Sequence, residues 1–186
     1  IQSNADTLIM TLWASDLIKT IQTLNDFDAK ESFNHITSSG ISLPFMKGIG
    51  AEALEGIHSL ADYYWNIDDS SNNGFVQAYR DEWGEPPNMI AAIQYSSTYQ
   101  MLKAAQEISS TNPEEVIDEL EGREFKSLTG GTDFFRECDH LMVGDMVLLR
   151  GKNPEDMETD EDYMEPVEIF EGEDIVESCE EHGCEI

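Results

Sequence analysis

Strands that alternate with helices in the first half of this sequence predict an α/β fold with a mainly parallel sheet. Residues 7–13 form a short apolar run of the kind that fills a buried parallel strand. Ser15 then supplies a helix start, and the apolar residues that follow recur at helical spacing at Leu17, Ile21 and Leu24. This alternation is typical of parallel strands joined by right-handed crossovers.

Two further strands complete the predicted parallel sheet. Residues 35–38 form the second strand, which ends in a polar loop. Residues 44–54 are interrupted by glycines and predict a short helix with turns. Residues 57–65 form the third strand, which is rich in aromatic side chains and bounded by polar residues.

The second half of the chain begins with three predicted helices. Asn72 or a neighbouring serine is expected to cap the first, and Gly84 ends it. Residues 88–108 predict a longer helix with small and apolar residues on several sides, which we expect to be well buried. The third helix begins at Asn112, which is followed by proline and two glutamates, and it stops at Gly122.

After these helices the pattern changes to β-structure. Strands are predicted over residues 132–135, 143–149 and 166–170. The last two flank an acidic stretch, residues 150–164, which we expect to form an exposed hairpin loop. The change of pattern suggests that the chain leaves one lobe of the molecule and returns to it.

The charge is very negative for a folded chain. The 186 residues include 39 Asp and Glu against 10 Lys and Arg, a formal charge of −29. Apolar residues make up 40% of the chain, too large a share for a disordered acidic tail, and the charge argues against nucleic acid as a partner. The acid is spread over the chain as well as concentrated after residue 152. We interpret the composition as adaptation to a salt-rich setting, because molar salt screens the repulsion.

The three cysteines do not form a disulfide framework by number alone. Cys179 and Cys184 could pair across a short loop, while Cys138 lies in another segment. Cys179, His182 and Cys184 also resemble half of a zinc site, but a structural zinc needs four ligands. We therefore expect no metal, and a solvated acidic tail at residues 176–186.

The sequence opens with Ile1, runs almost directly into a buried strand and shows no signal peptide. We expect it to be a piece of a longer protein, or a mature chain cut well downstream of its start.

Several segments, in the right order and spacing, resemble the C-terminal half of type I periplasmic binding proteins. The similarity is to the substrate-binding proteins of branched-chain amino acid, short amide and urea ABC transporters, and it runs from about residue 6 to residue 175. The matching pieces are DYYWNID at 62–68, FVQAYR at 75–80, WGEPPN at 83–88, Gly56, Tyr95, LTG at 128–130, residues 135–140 and the strand at 143–150.

The resemblance implies a fragment of a two-lobed fold whose lobes are three-layer α/β sandwiches and close on a small ligand by a hinge motion. It assigns residues 1–87 to the C-terminal lobe and residues 88–136 to helices that return to the N-terminal lobe. Residues 137–175 then form a hairpin of the C-terminal lobe. The helix over 88–108 would lie against a lobe that this sequence does not contain.

The resemblance also selects candidate ligand-binding residues in the cleft. Trp13 and Ala14 follow the first strand, and the Trp13 ring could cover an apolar group or an ammonium. A tryptophan of the core at a strand end is the structural alternative. Ser38 and Ser39 follow the second strand, where related amino acid binders carry an acid near Ser39 that pairs with the ligand ammonium. A serine offers no charge, which favours a neutral amide or urea, and an ordinary turn is the alternative.

Two further candidates lie in the long helix. Tyr95 matches the helix tyrosine of the family and could direct its hydroxyl toward the hinge or the cleft, with Gln94 beside it. Simple packing explains both residues equally well.

The sequence contains no pattern that predicts catalysis or a cofactor. Gly48 and Gly50 lack the third glycine of a dinucleotide loop, no nucleophile elbow is present, and His140 is predicted to lie in a structural turn. We therefore predict a non-enzymatic, extracytoplasmic binding component of an ABC importer that takes an amino acid, a short amide or urea. Its partners would be the ligand and the permease subunits, with anchoring through an N-terminal signal that lies outside this sequence. The alternative is a ligand-sensing receptor domain of the same fold, coupled to a signalling partner.

Overall fold

A computed structural model describes residues 4–181, and this part of the chain forms two compact units. The first contains the residues up to Asn66 together with Val147–Ile169, and the second contains Ile67–Met146 and the residues from Phe170 onward. The lobe boundaries predicted at residues 87 and 136 stay predictions, because a receptor lobe includes more chain than is present here.

A five-stranded sheet organises the first unit. Its strands are β1 (Thr7–Met10), β2 (His35–Ser39), β3 (His58–Ala61), β7 (Met146–Gly151) and β8 (Met164–Phe170), in the order β1-β2-β3-β7-β8. The first three strands are parallel, and β7 runs antiparallel to β3. The predicted α/β class with a mainly parallel sheet is therefore confirmed.

Three helices connect the parallel strands. They are α1 (Ala14–Asp26), α2 (Leu43–Ile49) and α3 (Ala51–Leu54). Leu17, Ile21 and Leu54 are completely buried and form part of the core. The short helix with turns predicted over residues 44–54 consists of α2 and α3, which are separated at Gly50, whose φ of 91° lies in a region that only glycine adopts readily.

Two predicted strands are longer than the strands in the structure. The first ends at Met10 rather than at residue 13, and the third ends at Ala61 rather than at residue 65. Tyr63 and Tyr64 follow β3 and are buried, so their aromatic character reflects the core rather than a strand. The Tyr64 hydroxyl accepts a hydrogen bond from the Met164 backbone N–H at 3.1 Å, which supplies the polar partner that a buried tyrosine needs.

The second unit is built on α4 (Ser70–Trp83), α5 (Met89–Glu107) and α6 (Pro113–Leu120). The predicted cap at Asn72 or a serine is wrong, because Asp69 caps α4 by accepting a hydrogen bond from the Ser71 N–H at 2.7 Å. Asn72 is buried and donates instead to the Ile67 carbonyl. The start predicted at Asn112 is confirmed, since its side chain accepts from the Glu114 N–H.

The expectation that α5 is well buried is wrong. Its buried residues are confined to one side and are Met89, Ala92, Gln100 and Ala104. Large apolar side chains on the rest of its surface are exposed, namely Ile90, Tyr95, Tyr99, Met101 and Leu102. The elements within residues 4–181 therefore cover only one side of this helix.

A small antiparallel sheet and a short helix complete the second unit. The strands are β4 (Glu124–Lys126), β5 (Thr132–Phe135) and β6 (Met142–Val143), and the helix is α7 (Gly172–Ile175). Both β4 and α7 were absent from the predicted elements. They span three and four residues, too few to give a periodic pattern.

Cys138 forms a disulfide with Cys179, so the alternative of a Cys179–Cys184 bond is wrong in this structure. Cys184 and His182 of the zinc-like pattern lie outside the described residues. Within residues 4–181, no group of three His, Cys, Asp or Glu side chains is placed to hold a metal ion. The expected absence of a metal stays a prediction.

The acidic stretch over residues 150–164 connects the neighbouring strands β7 and β8, and most of its residues are exposed or half-buried, as predicted, but one of its carboxylates is buried. Asp162 is only 1% exposed and accepts hydrogen bonds from Lys152 and Asn66. These hydrogen bonds attach the segment between β7 and β8 to residues 66 and 152. Among the helices of the described residues, none is both long enough and apolar enough to cross a membrane.

Candidate functional site

The candidate site in the first unit lies at the carboxyl edge of its parallel strands. Trp13 and Ala14 follow β1, Ser38 and Ser39 end β2, and Asp62 follows β3. Because neighbouring parallel strands end at the same edge of a sheet, four of the six predicted site residues lie on one side of the unit. Open α/β sheets bind ligands at this edge.

Trp13 gives the edge an exposed aromatic surface. The residue is the N-cap position of α1, has an extended backbone and is 53% exposed. Its ring meets the Phe45 ring edge to face, with 5.1 Å between the ring centroids. Since Phe45 supports one side of the indole, the remaining surface can cover an apolar or cationic group of a ligand.

Ala14 directs the chain from the strand edge into the helix. Its φ of 50° lies in the left-handed region, which is uncommon for an alanine. Such a conformation costs free energy and persists where the surrounding structure holds it. Ala14 therefore fixes the turn that presents Trp13.

Ser38 is a buried polar group without a partner in the described part of the protein. It is 2% exposed, and its hydroxyl makes no hydrogen bond there. Ser59, which lies opposite it on β3, accepts a hydrogen bond from the Ile41 N–H at 3.1 Å. Ser39 is exposed at the end of β2. A buried hydroxyl without a partner costs stability, which makes Ser38 a candidate for pairing with a ligand.

Gln94 and Tyr95 belong to the second unit, where both are exposed on α5. Tyr95 is stacked between Phe75, at 4.6 Å between ring centroids, and Tyr99, at 5.9 Å. Its ring therefore has a packing role, as the structural alternative predicted. Their predicted part in ligand binding stays a prediction.

A groove of about 480 Å³ in the second unit adjoins this aromatic stack. The sequence analysis did not predict the groove. Aromatic residues four positions apart on α4, such as Phe75 and Tyr79, and on α5 indicate an aromatic surface that could have suggested it. Its lining combines aromatic with polar side chains, including Phe75, Tyr79, Tyr95, Tyr99, Gln100 and Lys126.

Two buried carboxylates form a second cluster that sequence reasoning missed. Asp145 is 8% exposed and accepts hydrogen bonds from the Thr129 hydroxyl at 2.9 Å and the Gly172 N–H at 3.3 Å. Asp133 is 6% exposed, and this burial is the main reason why its pKa is raised to about 6. A hydrogen bond from Ser127 lowers the pKa of Asp133, and the negative charge of Asp145 raises it. The cluster joins β5, the turn before β7 and the start of α7.

An α/β sheet with polar and aromatic side chains at the carboxyl edge of its parallel strands is typical of proteins that bind small molecules there. The profile of a family described as periplasmic binding protein matches residues 1–156. The chain belongs to this family, which is one of binding proteins.

Solved structures of solute-binding proteins share the fold. The amino acid ABC transporter substrate-binding protein from Pseudomonas fluorescens Pf-5 is 22% identical, with a TM-score of 0.88, and the match covers 97% of this chain and 48% of that one. A branched-chain amino acid ABC transporter periplasmic ligand-binding protein from Burkholderia xenovorans LB400 is 25% identical, with a TM-score of 0.81, and the match covers 91% of this chain and 45% of that one.

A third structure broadens the range of ligands among the relatives. The solute-binding protein of an ABC transporter from Rhodopseudomonas palustris HaA2, in complex with p-hydroxybenzoic acid, is 20% identical with a TM-score of 0.76, and the match covers 90% of this chain and 46% of that one. This chain therefore spans about half the length of the structures that it matches. A comparison with curated proteins gave no significant match.

Proposed function

We propose that the chain is part of the extracytoplasmic substrate-binding component of an ABC importer. The observation that carries the proposal is the buried Ser38 hydroxyl, which has no partner in the described residues and lies at the carboxyl edge of the parallel strands. Membership of the periplasmic binding protein family supports the same role. The protein would bind its solute without changing it chemically.

The ligand we propose is an amino acid, a short amide or urea. Ser38 and Ser39 offer hydroxyl groups, and Trp13 offers an aromatic wall, so this side of the cleft suits an uncharged polar group next to an apolar one. The lack of an acid at Ser39 favours an amide or urea over an ammonium at that position. The relatives named above for amino acids and for p-hydroxybenzoic acid support a small organic solute.

Binding would close two lobes around the solute. In this proposal, Trp13 and Ser38 line the side of the cleft that the C-terminal lobe supplies, and the family resemblance assigns Gln94 and Tyr95 to the N-terminal lobe or the hinge. The closed form would then dock on permease subunits in the membrane. A sensing role coupled to a signalling partner stays the alternative prediction, because it would use the same ligand site.

A thermal-shift screen of the complete receptor in 2 M KCl tests the proposal. Because a ligand that binds only the folded state stabilises it, saturating ligand is expected to raise the Tm. The screen compares leucine, valine, glutamate, acetamide, urea and p-hydroxybenzoate with glucose as an unrelated solute. A Tm increase with an amino acid, an amide or urea supports the proposal. An increase with p-hydroxybenzoate alone would overturn the ligand assignment, and no increase with any compound would overturn the binding role.

A further inference from the structure

The C-terminal end of the described chain is attached to the second unit at two places. At the first, the Gly172 N–H donates to the Asp145 carboxylate, and a Cβ at Gly172 would come within 2.6 Å of the Gly144 carbonyl oxygen. At the second, Cys179 is bonded to Cys138, with 6.1 Å between the two Cα atoms. Residues 171–181, which we call the strap, are therefore attached to the unit at both of these positions.

The strap carries many negative charges. Residues 171–181 contain six acidic residues and no Lys or Arg. The segment that receives the strap is also acidic, because Glu137 and Asp139 flank Cys138. Like charges on both sides of the bond oppose the closed arrangement, and they do so over about 10 Å in 0.1 M salt but only about 3 Å in 1 M salt.

Arg136 opposes this repulsion from within the receiving segment. Its guanidinium is largely buried, donates to the carboxylate of Asp139 and also donates to the backbone carbonyl of Glu177. The carbonyl contact joins the strap to the unit, while the ion pair neutralises one carboxylate beside the disulfide. A covalent bond and an arginine thus hold two acidic segments together.

We propose that the Cys138–Cys179 disulfide is a covalent clasp that holds the acidic segment 171–181 against the second unit. The bond forms when the two thiols exchange with a small-molecule disulfide or the disulfide of an oxidoreductase, which leaves as two thiols. A dithiol reductant reverses the step and is itself oxidised to a disulfide. Such bonds persist outside the cytoplasm, where the environment is oxidising. The disulfide contributes most to holding the strap in place at moderate salt, where the carboxylates still repel one another.

The connectivity is tested by mapping peptides of the oxidised chain after free thiols have been alkylated. The expected result is a linked pair of peptides containing Cys138 and Cys179, with Cys184 alkylated. A Cys179–Cys184 pair, or three alkylated cysteines, would overturn the assignment. Cys184→Ser is the matched control and is expected to keep the linked pair, whereas Cys138→Ser removes it.

The clasping role is tested by hydrogen exchange at the amides of Asp174 and Val176, which donate to backbone carbonyls within the strap. Their exchange in Cys138→Ser at 0.3 M KCl is expected to be at least about tenfold faster than in the control, with little change in 2 M KCl. The amides of β3 provide the reference for global unfolding.

Equal rates in the variant and the control at 0.3 M KCl would overturn the clasp. Equal acceleration at both salt concentrations would overturn the electrostatic part of the proposal. If Cys138→Ser does not fold, the wild-type chain treated with dithiothreitol provides the same comparison. Adding E180Q to the reduced chain is expected to slow exchange at 0.3 M KCl, because this change removes the negative charge next to Cys179.

Discussion

Ser38 and Ser59 lie opposite each other in the register of β2 and β3, but their hydroxyl groups are in different situations. The Ser59 hydroxyl accepts a hydrogen bond from the Ile41 N–H, and the Ser38 hydroxyl has no partner in residues 4–181. Both side chains are buried. One serine of the pair therefore stabilises the sheet edge, and the other has a buried hydroxyl without an internal partner, which is the basis of the proposed ligand contact.

Alanine substitutions at these two serines are expected to have opposite effects. Ser38→Ala removes a buried hydroxyl that makes no internal bond, so the free energy of unfolding should rise by about 1 kcal/mol, while ligand affinity falls about tenfold. Ser59→Ala leaves the Ile41 N–H without its partner and should cost about 1–3 kcal/mol of stability. Urea unfolding and calorimetric titration measure the two quantities. A large loss of stability in Ser38→Ala with unchanged affinity would show that this hydroxyl is structural.

Trp13→Ala is expected to weaken ligand binding by about tenfold or more, because it removes the aromatic wall at the strand edge. Phe27→Ala is the matched control. Phe27 is 77% exposed and follows the opposite end of α1, which spans about 20 Å. Fluorescence or calorimetric titration of both variants checks the prediction. Equal affinities in Trp13→Ala and Phe27→Ala would remove Trp13 from the site.

The stability of the protein should depend on pH through Asp133. Its pKa of about 6 in the folded state exceeds the ordinary value of 3.8, so the folded chain binds the proton more tightly than the unfolded chain does. The resulting stabilisation is complete below about pH 4 and is lost as the pH rises through 6, a change of about 2–3 kcal/mol.

Asp133→Asn isolates this contribution from the other carboxylates. The variant should lose this part of the pH dependence and should be more stable than the wild type at pH 7. Urea unfolding of both chains between pH 4 and 8, at constant salt, gives the difference. If that difference stays constant across the range, Asp133 does not titrate as the structure indicates.

Two glycines should respond to alanine in opposite ways. A Cβ at Gly151 would come within 1.9 Å of the Leu54 carbonyl oxygen, so Gly151→Ala should cost at least about 2 kcal/mol. Gly74 lies inside α4 with no atom within 4 Å of its added Cβ, so Gly74→Ala should stabilise by about 0.5–1 kcal/mol. Thermal unfolding ranks the three proteins. A stable Gly151→Ala would contradict the close approach of the chain at that position.

The negative charge should make folding dependent on salt. The chain has 10 Lys and Arg, and several of them are used in ion pairs, such as Lys152 with Asp162 and Arg123 with Glu107. The remaining carboxylates repel one another, so dialysis from 2 M to 0.05 M KCl is expected to reduce the circular dichroism signal of the helices. Sucrose at low salt is the control for a general solute effect. Unchanged spectra at low salt would remove the interpretation as salt adaptation.

Local patterns predicted the elements whose signals lie close together in sequence. The α6 start was identified because Asn112, Pro113 and Glu114 are adjacent and act within one turn. The cap of α4 was not, because residues 68–72 all have side chains that can cap, and only the extended backbone at Asp69 selects one. The strand β4 was not predicted, because the alternation of polar and apolar side chains over three residues is too short to distinguish a strand from a loop.

Features that depend on tertiary contacts were harder to predict from the sequence. Cys138 and Cys179 are 41 residues apart, and no spacing rule selects their bond over one with Cys184. The predicted strand ends, together with the family resemblance, placed Trp13 and Ser38 at one edge. The support of Trp13 by Phe45, and the pairing of Ser59 rather than Ser38, depend on how α2 and the loop before it pack on the sheet.

Calorimetric titration of the complete receptor in 2 M KCl, with amino acids, short amides and urea, is the most direct test of the account. The prediction is saturable heat with at least one of these solutes, together with about tenfold weaker binding in Ser38→Ala without loss of stability. No heat with any of them would contradict the claim that the strand edge at Ser38 binds a small solute of this class.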